Sequence, residues 1–149
     1  MIDERDNNFL SQNIKGLMMS LMADWNARME EARAKTEFAP VRPADIRVFA
    51  QLRGRSLKLS AIHREMGFSR QAAQQAVDRL VSHDMLRLAP DPESRRDKVV
   101  TITEKGQRWR TIAANQIRMI ETQIARILGE DGREELRKML VLLASEADR

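Results

Sequence analysis

The chain has 149 residues, enough for one domain or for one subunit of an oligomer built round a shared core. It holds no cysteine, which excludes a disulfide scaffold, a cysteine-ligated zinc finger and thiol redox sensing. The formal charge of +4 is uneven: residues 1–38 carry 5 basic and 7 acidic side chains, 39–106 carry 13 and 8, and 107–149 carry 8 and 7, so the excess sits between two near-neutral arms, the footprint of a phosphate-binding module.

The chain opens with acidic residues, and the apolar run from Leu17 to Trp25 is short and broken by Ser20 and Asp24, so neither a signal peptide nor a membrane span is expected and a cytoplasmic place is. Leu10, Ile14, Leu17, Leu21 and Trp25, with Met18, Met22 and Met29 beside them, recur at three and four and predict a helix. Phe38 to Pro43, with two prolines, reads as a connection. Ser60 is placed to cap a short helix through Ile62 and Met66, Gly67 to stop it in the left-handed region, and Phe68 to plug the space between helices. Ser69 is the next N-cap, and Ala73, Val77, Leu80 and Val81 predict the buried face of a second helix.

After His83-Asp84 the period changes. Met85 to Ala89 and Lys98 to Thr103 alternate as two short strands, and the polar stretch Pro90 to Asp97 between them predicts a projecting hairpin tip. Thr103 caps a further helix striped by Trp109, Ile112, Ile117, Ile120, Ile124 and Ile127, and a last helix from about Gly132 to Ala147 carries Leu136, Met139, Leu140 and Leu143 on one side. The fold class is mainly α: a helix-turn-helix with a two- to three-stranded β-wing in residues 39–106, flanked by long terminal helices in 1–38 and 107–149. The winged part cannot cover the terminal stripes. At about 1.5–3 kcal/mol per large apolar side chain they call for a second copy, with Leu10, Ile14, Leu17, Leu136, Leu140 and Leu143 as the dimer contact.

The exposed side of the second helix carries Arg70, Gln71, Gln74, Gln75, Asp78 and Arg79, with none of the Glu-to-Lys lacing that merely solubilises a helix. Amides can read adenine bidentately and Arg70 can read guanine or hold phosphate, while Arg79, a further turn along, reaches the backbone. Arg95 and Arg96 at the wing tip suit a narrow minor groove, with Ser69 and Lys98 as further DNA contacts. His63 with Glu65 and His83 with Asp84 form no ligand set, and no nucleophile elbow, phosphate-cradling glycine loop or carboxylate pair is present, so no metal, cofactor or catalytic residue is expected. Met18, Met22, Trp25 and Met29 can line a pocket for a flat apolar effector or simply be core.

These landmarks together resemble the MarR family of bacterial winged-helix regulators. The matching runs are Val41 to Phe49, Leu59-Ser60, Gly67 with Ser69, Val77-Asp78-Arg79-Leu80, Asp91-Pro92, Arg95-Arg96 and Ile102-Thr103-Glu104-Lys105-Gly106, and no landmark needs a gap. The resemblance implies that Arg96 is the minor-groove arginine, and that an aromatic or phenolic effector sits between dimer helices and DNA-binding lobe, with Met22, Trp25, Met29, Arg47 and His63 as candidates. Four positions depart from the family pattern. Ser94 replaces an Asp that braces the second wing arginine, a role passed to Glu93 or Asp97; His63 replaces a small residue, Asp84 a glycine, and Gln75 a frequent arginine. The expected function is that of a homodimeric regulator binding a pseudo-palindromic double-stranded operator, a repressor relieved by a small aromatic molecule, without a membrane partner. Its rivals are a winged module that holds a protein instead of DNA, and a catabolic enzyme subunit.

Overall fold

The computed structural model describes residues 1–147; Asp148 and Arg149, the end of the expected 107–149 arm, lie outside the described residues. Along the chain come α1 (Glu4–Gln12), α2 (Ile14–Ala34), α3 (Pro43–Gln51), β1 (Leu57–Lys58), α4 (Leu59–Met66), α5 (Arg70–Ser82), β2 (Leu86–Asp91), β3 (Ser94–Ile102) and α6 (Glu104–Ala147). The architecture is mainly helical with one small antiparallel sheet in the order β1-β3-β2. Contacts divide the chain into a winged unit, Glu30–Ile112, and a helical unit made of Met1–Met29 and the chain from Ala113 onward.

The winged unit has its own core. Ile46, Val48 and Phe49 of α3, Ile62 of α4, Ala73, Val77 and Leu80 of α5, and Met85, Leu86 and Val100 at the sheet are all buried, as the helical and strand periods predict. Gly67 ends α4 at φ 68° and Asp84 turns into β2 at φ 59°, both in the left-handed region. Thr103 joins the wing to α6: its hydroxyl accepts from the Gly106 amide at 3.0 Å and donates to the Asp84 carbonyl. Gly106 is required there, because a Cβ would lie 2.5 Å from the Met85 carbonyl oxygen.

Tertiary contacts override several local readings in this unit. Phe38 and Val41 are buried core, not a bare connection, and the buried Arg33 guanidinium fastens that segment by donating to the carbonyls of Phe38 (2.9 Å) and Ala39 (2.6 Å) and to Glu30. Trp109 belongs to this core too: its ring lies 5.4 Å from that of Phe38, so it is not part of a stripe open to a partner. Phe68 does not plug the turn; it is 39% exposed, while Ile62 of α4 and Ala73 of α5 are buried. Nor does Ser60 cap α4. Lys58 holds the N-cap position without a side-chain cap, and the Ser60 hydroxyl turns to the wing instead.

In the helical unit the stripe that starts at Leu10 is carried by two helices. Asn13 breaks it: its side chain donates to the Leu10 carbonyl at 2.9 Å, closing α1, and accepts from the Gly16 amide at 2.8 Å, opening α2. Gly129, at φ 79°, interrupts α6 three residues before the expected start of the last helix. Arg137 bridges the two halves of α6 through Glu121 at 2.8 Å and also meets Glu134 at 3.1 Å. Its hydrogen bonds hold both carboxyls below the usual glutamate range. Their folded values lie below the unfolded ones, so this contribution is complete above the ordinary glutamate range and is lost as pH falls through the lowered values.

The apolar side chains of the helical unit are largely uncovered. Among the described residues, Ile120 is the only one of the sixteen buried apolar side chains that lies in it, while Leu10, Ile14, Leu17, Leu140 and Leu143 are 60, 74, 52, 38 and 61% exposed. Among the described residues no helix is long and apolar enough to cross a membrane.

Candidate nucleic-acid interface

The geometry of α5 starts at Ser69, whose hydroxyl accepts from the Ala72 amide at 3.1 Å and fixes the first turn. Burial of Ala73, Ala76, Val77 and Leu80 then decides which face is left for solvent. Arg70, Gln71 and Gln75 stand on it exposed, and their side chains have no partner among the described residues. Gln74 is half-buried and donates to Asp78 at 2.9 Å along the same helix.

Arg79 is placed differently from the expected phosphate contact. Its guanidinium grips the fully buried Asp45 of α3, Nε to Oδ2 at 2.9 Å and Nη2 to Oδ1 at 2.9 Å. The pair ties α3 to α5.

The wing is a tighter hairpin than the sequence suggested. β2 and β3 continue to Asp91 and Ser94, leaving Pro92 and Glu93 as the turn, where Asp91 accepts from the Glu93 amide at 2.9 Å. The register jumps there: Pro90 pairs with Lys98 but Asp91 with Ser94, so Arg95, Arg96 and Asp97 bulge out of β3 without a partner on β2. Arg95 and Arg96 are therefore strand-bulge residues, not tip residues, because Asp91 draws the turn closed. Both are exposed, and neither has a side-chain partner among the described residues. Neither Glu93 nor Asp97 braces Arg96. Asp97 instead accepts from the Ser60 hydroxyl at 2.7 Å and from the Lys98 amide at 2.9 Å, which together hold its carboxyl below the usual range. On the other side of the wing, Lys58 Nζ lies 3.3 Å from the nearly buried Asp91 Oδ2, an ion pair without hydrogen-bond alignment.

These elements enclose a groove of about 360 Å³, bordered by Ser60 and His63 of α4, Arg70 and Gln74 of α5, and Arg96 and Lys98 of β3. His63 thus stands at the groove. Arg47 is exposed on α3. Met22, Trp25 and Met29 line a separate cavity of about 560 Å³ within the helical unit, together with Ile124, Leu136 and Leu140. Glu65 is taken by Arg55 at 2.8 Å and His83 caps the end of α5; among the described residues no cluster of His, Cys, Asp or Glu is suited to a metal ion. Asp45 and Ser60 were missed as parts of this site, and Asp97 was expected only as a brace for Arg96. Asp45 follows Pro43 as an ordinary acidic residue of a first helical turn, and nothing local announces a partner 34 residues away.

The sequence model of the MarR family matches residues 40–97, the stretch from α3 to the wing bulge. Among solved structures, a crystal structure of MarR matches with a TM-score of 0.74 at 20% identity, over 93% of this chain and 99% of that one. The apo form of wild-type MarR from E. coli matches at 0.68 and 15% identity, over 89% of this chain and 96% of that one. The PcaV transcriptional regulator from Streptomyces coelicolor, in complex with its natural ligand, matches at 0.65 and 17% identity, over 99% of this chain and 98% of that one. At these identities the likeness is one of fold. No curated protein matches the chain. Over its winged segment, residues 40–97, the chain is similar to the MarR family.

Proposed function

We propose that this protein is a homodimeric, non-enzymatic transcription regulator of the cytoplasm that binds a pseudo-palindromic DNA operator and is released from it by a small aromatic ligand. The observation that carries this reading is the set of exposed polar side chains left without intramolecular partners: Arg70 and Arg96, which border one groove, with Gln71 and Gln75 elsewhere on α5 and Arg95 beside Arg96 on the wing. Cations and amides kept exposed and unpaired on a recognition helix and beside it suit the phosphates and base edges of a duplex. The uncovered apolar side chains of the helical unit support self-association, which sets two recognition helices about one DNA turn apart. The cavity at Met22, Trp25 and Met29 has a size that suits a small aromatic ligand, and a ligand that favours a wrong spacing of the two lobes lowers DNA affinity. A gel shift with the DNA upstream of its own gene separates this reading from a winged module that holds a protein.

Arg96→Ala is expected to leave folding unchanged, since the side chain has no partner to lose. Operator affinity should fall, and the slope of log affinity against log salt should flatten by about one phosphate-equivalent, or roughly 1–3 kcal/mol should be lost if the arginine also reads groove shape. Unaltered affinity and slope, measured across a salt series, would remove the wing from the interface.

For sequence preference the two glutamines differ. Gln75→Ala should change the preferred base at one position in each half-site, at about 1–3 kcal/mol of discrimination. Gln74→Ala should change it less, because Gln74 already spends a donor on Asp78. Selection from a randomised operator library decides this: recovery of the wild-type consensus by the Gln75 variant would show that the reading face is assigned wrongly.

A further inference from the structure

We infer that Asp97 is a positioning residue for DNA binding: by holding the Ser60 hydroxyl it latches the wing bulge to the start of α4 and so sets where Arg95 and Arg96 stand. The inference rests on the DNA-binding reading above and assigns a role to a residue that carries the wrong charge for that surface.

The start of α4 lacks a cap of its own, since Lys58 at the N-cap position makes no side-chain bond to the helix. A carboxylate near that end is favoured by the helix dipole, and here it arrives from a strand 37 residues further along the chain. Oδ2 of Asp97 takes the Ser60 hydroxyl at 2.7 Å while Oδ1 takes the Lys98 amide at 2.9 Å, so the carboxylate is oriented at both oxygens. Asp97 is also the last of the three bulged residues, and the two before it are the unpaired arginines. With no partner on β2 and no side-chain bonds of their own, Arg95 and Arg96 take their position from the backbone that Asp97 anchors. The wing's other tie, Asp91 to Lys58, ends two residues from Ser60, so both fastenings meet at the junction of β1 and α4.

Electrostatics alone argues the opposite role. A carboxylate between Arg96 and Lys98 repels phosphate, so its removal should strengthen binding. The two roles therefore predict opposite signs, and three variants separate them. Ser60→Ala breaks the latch and keeps the charge, Asp97→Asn removes the charge and keeps an acceptor for the hydroxyl, and Asp97→Ala removes both.

Binding of each variant to one duplex, selected from random DNA by the wild-type protein, is measured over a salt series, and amide hydrogen exchange at residues 93–98 is followed in the free proteins. Ser60→Ala and Asp97→Ala should each weaken binding about five- to tenfold, the net scale of one ordinary hydrogen bond, and speed exchange in the wing. Asp97→Asn should bind as well as the wild type or better, with wild-type exchange. Tighter binding by both Asp97 variants with Ser60→Ala unchanged would overturn the positioning role and leave Asp97 as a repelling charge. Unchanged exchange in Ser60→Ala would overturn the latch itself. A wild-type protein that selected no duplex would overturn the DNA reading and this inference with it, a failure distinct from the others because it falls on the unaltered chain.

Discussion

Replacing Arg79 with alanine is expected to cost about 3 kcal/mol of folding stability. The reason lies in its partner. The Asp45 side chain is 1% exposed and takes all three of its charge-assisted bonds from this one guanidinium, so without it a carboxylate is left buried and unpaired. Arg79 itself is 37% exposed, which admits water to the pair and keeps the cost at the lower end of the range of about 3–5 kcal/mol for a fully buried one. Asp45→Ala should cost less, because the freed guanidinium can turn to solvent. Chemical denaturation of the two variants checks this, and a loss below about 1 kcal/mol for Arg79→Ala would mean that water already satisfies Asp45. Weaker DNA binding by Arg79→Ala then follows from disturbed packing between α3 and α5, and is to be read only after stability is known.

The second large effect is on assembly. Leu140→Asp with Leu143→Asp should abolish a dimer stable at micromolar concentration, raising its dissociation constant at least about a thousandfold, or leave the protein insoluble. Leu140 is 38% and Leu143 61% exposed in a single chain, where aspartate would be tolerated at little cost. In a dimer that covers them, each change forfeits about 1.5–3 kcal/mol of apolar burial and adds an unpaired charge in a dry contact. Sedimentation equilibrium distinguishes the states; a soluble dimer of wild-type stability would place the contact on another face.

Elements set by neighbours in sequence were legible from the residues. Ser69 as a cap, Gly67 in the left-handed region, and the burial of Val77 and Leu80 each depend on a few adjacent positions, and the structure has them where the pattern put them. Contacts between distant positions were not. Ser60 has the composition of a cap, but its hydroxyl is drawn away to a carboxylate 37 residues on. Trp109 has the spacing of a dimer stripe but meets Phe38, a residue that local composition assigns to a linker. The pair Arg95-Arg96 was found by its chemistry, whereas the bulge that presents it depends on a register that alternation cannot fix when strand and turn residues are equally polar.

Because the buried apolar side chains lie almost wholly in the winged unit, with Ile120 the exception, the two units stand in different relations to protein concentration. A unit with its own core has a stability that dilution does not touch. One whose apolar surface is covered only by another copy gains stability by mass action, in proportion to the logarithm of the partner available. Under the proposed dimeric binding to an operator, abundance itself becomes a term in the folding equilibrium, and the DNA, by holding two copies side by side, would supply a local concentration that dilution does not remove.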